Sequence, residues 1–114
     1  MEHMFEVEMN LRVFGPNRAK NFDAVTDAYY TVEQGDARLL DCAWDYAECD
    51  DSGEVDVQIT VTGSDEKDAY AKASTAVRTA IHATGGLTPG WEDIADRDVS
   101  AYRVTRVEVE LIPA

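Results

Sequence analysis

The sequence predicts an α+β domain in which two β-α-β units share one antiparallel sheet. Three stretches carry that expectation. Phe5, Val7, Met9, Leu11 and Val13 alternate with polar residues, and so do Val55, Val57, Ile59 and Val61; a period of two marks a strand with one buried face. Directly after the second of these, past Gly63, an alanine-rich segment repeats its apolar residues at helical spacing. At 114 residues the chain fits a single domain, 1–114, with one ordinary core.

In chain order, the first strand ends at Gly15-Pro16, and Asn17 to Lys20 reads as a loop. A helix is expected from near Asn21 as N-cap, with Asp23 in its first turn. Phe22, Val25, Tyr29 and Val32 form its apolar stripe, and Gly35 is a left-handed stop. The stretch 36–49 fits two periods. Leu40, Cys42, Trp44 and Tyr46 alternate as in a strand, while Leu40, Ala43, Trp44 and Ala47 make a helical stripe. The turn chemistry of Asp50, Asp51, Ser52 and Gly53, followed by an undoubted strand in need of a neighbour, favours the strand.

Ser64 is the expected N-cap of the second helix, and Ala69, Ala73, Ala76, Val77, Ala80 and Ile81 its packing face. Asp68 and Lys72 suit an i,i+4 ion pair, and Gly85-Gly86 ends the helix. Leu87 to Val99 connects to a last strand over about Tyr102 to Ile112. There Val107, Val109 and Leu111 share one parity and Tyr102 and Val104 the other, which predicts a bulge near Thr105 or a segment apolar on both faces. The order strand, helix, strand, strand, helix, strand is that of the ferredoxin-like plait: a four-stranded antiparallel sheet, order 4-1-3-2, with both helices on one face.

Charge is the unusual property. Ten Lys and Arg against 23 Asp and Glu give a formal net charge of −13. That excludes a simple phosphate-backbone binder and disfavours an anionic membrane, so neither direct nucleic-acid binding nor membrane binding is expected. The plainer account of the acidity is solubility. No apolar run reaches the length of a membrane helix, and the N-terminus lacks the basic and apolar regions of a signal peptide, so a cytoplasmic protein is expected. Cys42 and Cys49 lie an odd number of residues apart, on opposite faces of a strand, and are expected as two reduced thiols.

No motif predicts catalysis, a metal or a cofactor. The acidic turn at 50–54 lacks the ligand spacing of a calcium loop. Gly85-Gly86 follows a helix C-terminus, where carbonyls repel anions. His82 fits the last turn of a helix, where the dipole favours its charge, and no nucleophile is placed beside it. His3 sits at the N-terminal margin. Sequence predicts instead that Glu6 and Glu8 lie beside Glu108 and Glu110 on the open face of the sheet, with Arg12, Arg103 and Arg106 near its ends. Such a face is either a solvated exterior or a docking surface for a basic partner or a second copy. RNA-recognition plaits place aromatic and basic residues there instead. Trp44 and Trp91 are candidate interface aromatics, Trp91 alternatively a lid over the sheet end.

Arg38-Leu39-Leu40-Asp41, Ser52-Gly53-Glu54-Val55-Asp56-Val57, Ala80-Ile81-His82-Ala83-Thr84-Gly85-Gly86 and Thr88-Pro89-Gly90-Trp91 resemble small acidic proteins of unknown function from high-GC actinobacteria and their phages. The resemblance runs from about Phe5 to Trp91, implies the same plait and carries no functional residue. Three functions are therefore expected, in this order. The first is a non-catalytic interaction module that self-associates or docks a basic partner. Next comes an acidic phage-type inhibitor or nucleic-acid mimic acting on a DNA-binding defence protein. The last is a small-ligand sensor around His82, Trp91 and Glu92.

Overall fold

The computed structural model describes residues 2–86 and 101–113. Strand β1 (His3–Phe14), helix α1 (Arg18–Gln34), β2 (Leu39–Glu48), β3 (Gly53–Gly63), α2 (Glu66–Ala83) and β4 (Ala101–Leu111) follow in the expected order. All pairings are antiparallel, and the sheet runs β2-β3-β1-β4, which is 4-1-3-2 read from the other edge. Residues 39–48 are a strand, paired with β3. The connecting segment 87–99, with Trp91 and Glu92, lies outside the described residues.

Alternation sends every odd residue of β1 from Phe5 to Val13, and Val55, Val57, Ile59 and Val61 of β3, into the core. There they meet the expected stripe of α2: Ala69, Ala73, Ala76, Val77, Ala80 and Ile81 are all buried. The small side chains bring α2 close to the sheet. A Cβ on Gly63 would stand 3.0 Å from the Ala69 nitrogen, so the strand end under the helix is tight. Helix α2 lies over β3, β1 and β4, and α1 packs on β2 and on α2. The expected irregularity in β4 is a bulge. Arg106 pairs with Asn10 and Val104 with Leu11, leaving Thr105 extra, its hydroxyl donating to the Asn10 carbonyl at 3.0 Å. The parity change from Val107 to Val104 has this bulge as its cause.

Several local expectations are corrected. Helix α1 begins three residues before Asn21: its N-cap is Asn17, left-handed (φ 57°) and without a side-chain cap bond, so Asn17 to Lys20 is helix start and not loop. Asn21 cannot cap because its amide is engaged elsewhere, accepting from the Tyr102 hydroxyl at 2.7 Å and donating to Thr84 at 3.3 Å. The early start also leaves no acid in the first turn, so Asp23 does not complement the dipole there. Gly35 is right-handed (φ −89°), and α1 closes on a tighter turn through Gly35 N–H to the Val32 carbonyl.

Asp65, not Ser64, caps α2, accepting from the Asp68 N–H at 2.8 Å; Asp68 in turn accepts from the Ser64 N–H at 2.9 Å. Asp68 is therefore occupied, and Lys72 bonds Asp36 instead, Nζ to Oδ2 at 2.8 Å, tying the α1–β2 connection to α2. At its other end α2 closes as expected. Gly85 is left-handed (φ 82°), its N–H donates to the His82 carbonyl, and the Gly86 N–H donates to that of Ile81.

Candidate functional site: the open face of the sheet

The face of the sheet away from the helices carries the even residues of β1 and their cross-strand partners. The pairing register arranges them in four rows running from β2 to β4. The first holds Asp41, Thr60, Glu6 and Glu110, and the second Ala43, Gln58, Glu8 and Glu108. Asp45, Asp56, Asn10 and Arg106 make the third; Ala47, Glu54, Arg12 and Arg103 make the fourth.

Three pairs in this array set carboxylate directly against carboxylate: Glu6 with Glu110, Glu8 with Glu108, and Asp45 with Asp56. Opposed Cβ atoms in antiparallel strands are about 4.5–5.5 Å apart, a distance at which like charges destabilise the pair. Relief within the chain is partial. Gln58 donates to Glu8, Asn10 donates to Asp56 at 2.7 Å, and Arg106 reaches Glu108 at 3.2 Å in an exposed ion pair. Arg12 turns away from the acids to donate to the Ser52 hydroxyl at 3.2 Å, bracing the β2–β3 turn; the Cys49 sulfur lies 3.9 Å from the same nitrogen. Arg12, Arg103 and Arg106 thus stem from one corner of the face, the Arg12 guanidinium reaching back toward the β2–β3 turn, and seven of the eight carboxylates lie in the other three rows, with Glu54 next to Arg12.

The array is not flat. Ala43 is a low point, and around it opens a depression of about 530 Å³ bordered by Glu8, Asp45, Asp56, Gln58 and Arg106. Met9, Trp44 and Val57 also line it. Three carboxylates, one carboxamide and one guanidinium suit a cationic side chain entering from solvent and offer no nucleophile. Among the described residues no group of three or more His, Cys, Asp or Glu is arranged to hold a metal ion.

Structure brings together Glu6, Glu8, Glu108, Glu110, Arg12 and Arg106 on one surface, with the two glutamate pairs of β1 and β4 side by side. Asp45, Asp56, Asn10 and Gln58 were not singled out from sequence, although the alternation of β2 and β3 already gave their parity. What hid Asp45 is the register of β2, which depends on the irregularity between Leu39 and Asp41. Trp44 does not belong to this surface. Its ring points into the helix layer, 5.3 Å from Tyr29 and 6.2 Å from Phe22, while Tyr46 stacks on Phe22 at 5.1 Å. Trp91 lies outside the described residues.

Burial holds the Tyr29 and Tyr102 hydroxyls well above the usual phenol range. Burial beneath α1, with the Glu33 carboxylate as the next cause, pushes the Cys42 thiol up to about 11, which leaves it a poor nucleophile. Both cysteines are free. His82 is exposed at the end of α2. No described helix is long and apolar enough to cross a membrane.

Neither a family model nor a curated protein matches the chain. Among solved structures it is similar to a de novo designed protein, Foldit4, at 14% identity and a TM-score of 0.47, over 97% of this chain and 98% of that one.

Proposed function

We propose that the chain is a non-catalytic protein-interaction module whose open sheet face docks a surface carrying positive charge. The observation that supports this most is the trio of carboxylate–carboxylate cross-strand pairs, Glu6–Glu110, Glu8–Glu108 and Asp45–Asp56. A face under selection only for folding and solubility gains from alternating sign across strands, each unlike pair contributing roughly 0.2–1 kcal/mol. Here carboxylates are set opposite carboxylates, and Arg12 is opposite Arg103. A docked cation would lift the repulsion, and charge complementarity would set the rate and orientation of docking.

The test is a titration with nona-arginine followed through backbone amide shifts. The reading expects the largest changes at Glu8, Asn10, Asp56 and Gln58, falling off steeply with salt. Changes confined to the acidic surface of the helices would refute it. The nucleic-acid-mimic reading draws less support, because the Arg12, Arg103 and Arg106 corner interrupts the run of negative charge that a duplex presents. A ligand-sensor reading would need Trp91 and Glu92, which lie outside the described residues.

A further inference from the structure

The interaction reading leaves the partner open, and the register of the face narrows it. Viewed along β1, the outward residues run Met4, Glu6, Glu8, Asn10, Arg12, Phe14. Reversing that series about its midpoint sets Met4 on Phe14, Glu6 on Arg12 and Glu8 on Asn10. Along β4, the same reversal sets Glu110 on Arg103 and Glu108 on Arg106. On β3 it sets Gln58 on Asp56, and on β2 it sets each acid, Asp41 and Asp45, on an alanine. No like-charged pair arises anywhere in the four rows. Met4 and Phe14, at 40% and 39% exposure, are two of the five exposed large apolar residues among the described residues, and the reversal brings them onto each other.

A reversal of this kind is the operation of a two-fold axis lying between two facing sheets and running across their strands. A two-fold interface requires a surface complementary to itself, which is uncommon on a face so unbalanced in charge. The other in-plane axis, along the strands, lacks this property because it lays Asp41 over Glu110. We propose that the partner of the open face is a second copy of this chain, docked sheet to sheet with its strands antiparallel. In that arrangement Arg12, Arg103 and Arg106 of each copy stand opposite Glu6, Glu110 and Glu108 of the other, and the remaining carboxylates stand opposite uncharged residues.

This proposal rests on the open face being the docking surface and names what docks there. Four strands at about 4.8 Å spacing and eight residues at about 3.3 Å give a footprint near 20 by 26 Å. Two such faces bury about 1,000 Å² in total, the lower end of specific interfaces. Packed sheets cross at about −30°, so pairs nearest the axis, Glu108 with Arg106 and Glu8 with Asn10, stay closest in register. Arg106 and Glu108 already touch within one chain at 3.2 Å, both more than half exposed, and docking exchanges that contact for two across the interface.

Two opposed effects of salt give the association a signature. Each copy carries −13, and at about 0.01 M ionic strength the screening length of about 30 Å lets the whole charges repel. At about 0.15 M that length is about 8 Å, and only the complementary short-range pairs remain in play. Salt near 1 M weakens those pairs as well. Dimerisation should therefore pass through a maximum with ionic strength, whereas docking of a simple polycation only declines.

Sedimentation velocity over micromolar to millimolar protein, at the three salt levels, tests this. The native chain is expected to dimerise most at the middle level. R106E sets carboxylate against carboxylate and E108R guanidinium against guanidinium, so each alone should weaken dimerisation about tenfold or more. An equimolar mixture of the two variants restores both unlike pairs and should dimerise nearly as well as the native chain. Both positions are exposed, and unchanged circular dichroism will show that the fold is kept. A monomer at every concentration and salt level overturns the proposal, and so does a mixture that associates no better than its components. If copies stay apart while nona-arginine still maps to the face, this inference fails and the docking reading stands. If neither binds, both fail.

Discussion

Asn21 stands where three elements meet. From α1 it accepts a hydrogen bond from the buried Tyr102 hydroxyl of β4 and donates to Thr84 at the end of α2. Asn21→Ala should cost about 1–3 kcal/mol, because it leaves the phenol without its acceptor. Tyr102→Phe made in the same chain should recover part of that cost, a coupling that a double-mutant cycle in urea reads directly. Gly53 is a second single-residue constraint. A Cβ there would fall 2.5 Å from the Tyr46 ring and 2.7 Å from Val13, so Gly53→Ala should overpack the β2–β3 corner by about 1–3 kcal/mol. Thermal or urea unfolding checks it, and no loss of stability would mean that the Tyr46 ring is free to move aside. Neither role was legible in the sequence. Asn21 looked like an N-cap and Gly53 like a turn residue, because both depend on partners that only the folded chain supplies.

At the scale of elements, periodicity carried most of the information. The six packing positions of α2 and the parity change in β4 follow from spacing alone, since a core face imposes its period on the sequence. Helix ends were less legible. Asp65 takes the cap from Ser64, and α1 starts at Arg18, where the guanidinium holds the Gly15 carbonyl at 3.2 Å and Glu48 at 2.9 Å. Lys72 was the clearest misreading: a favourable partner four residues back lost to Asp36, distant in sequence and closer in space.

Hydrogen bonding to Lys72 holds the Asp36 carboxyl below its usual range, and the Arg38 backbone N–H adds to this. A carboxyl with a lowered native pKa contributes stability that is complete above its unfolded value, about 4, and is lost as pH falls through the native value. Asp36→Asn should therefore lower the unfolding midpoint at pH 7, and the difference from the native chain should disappear toward pH 2. A difference that persists in acid would assign the effect to packing. The Ser64 N–H lowers Asp68 in the same sense, and Arg18 lowers Glu48, so acid should loosen the element junctions before it reaches the core.

For the whole molecule the fold class, strand order and charged face are legible in the sequence, and the complementarity of that face to itself is not. Glu6 to Arg12 and Glu110 to Arg103 are visible as letters. Their matching under a two-fold axis depends on the Thr105 bulge, which brings Arg103 level with Arg12. The account treats the paired carboxylates as held for docking at some expense to the isolated fold. Urea unfolding of the Glu6→Gln, Asp45→Asn double variant at low ionic strength and at dilution tests that claim most directly. Removing one charge from each of these two like pairs should raise the midpoint, by a few tenths of a kcal/mol per pair, and the gain should vanish at high salt. A midpoint that stays level or falls would mean that these carboxylates serve the fold, and would contradict the account.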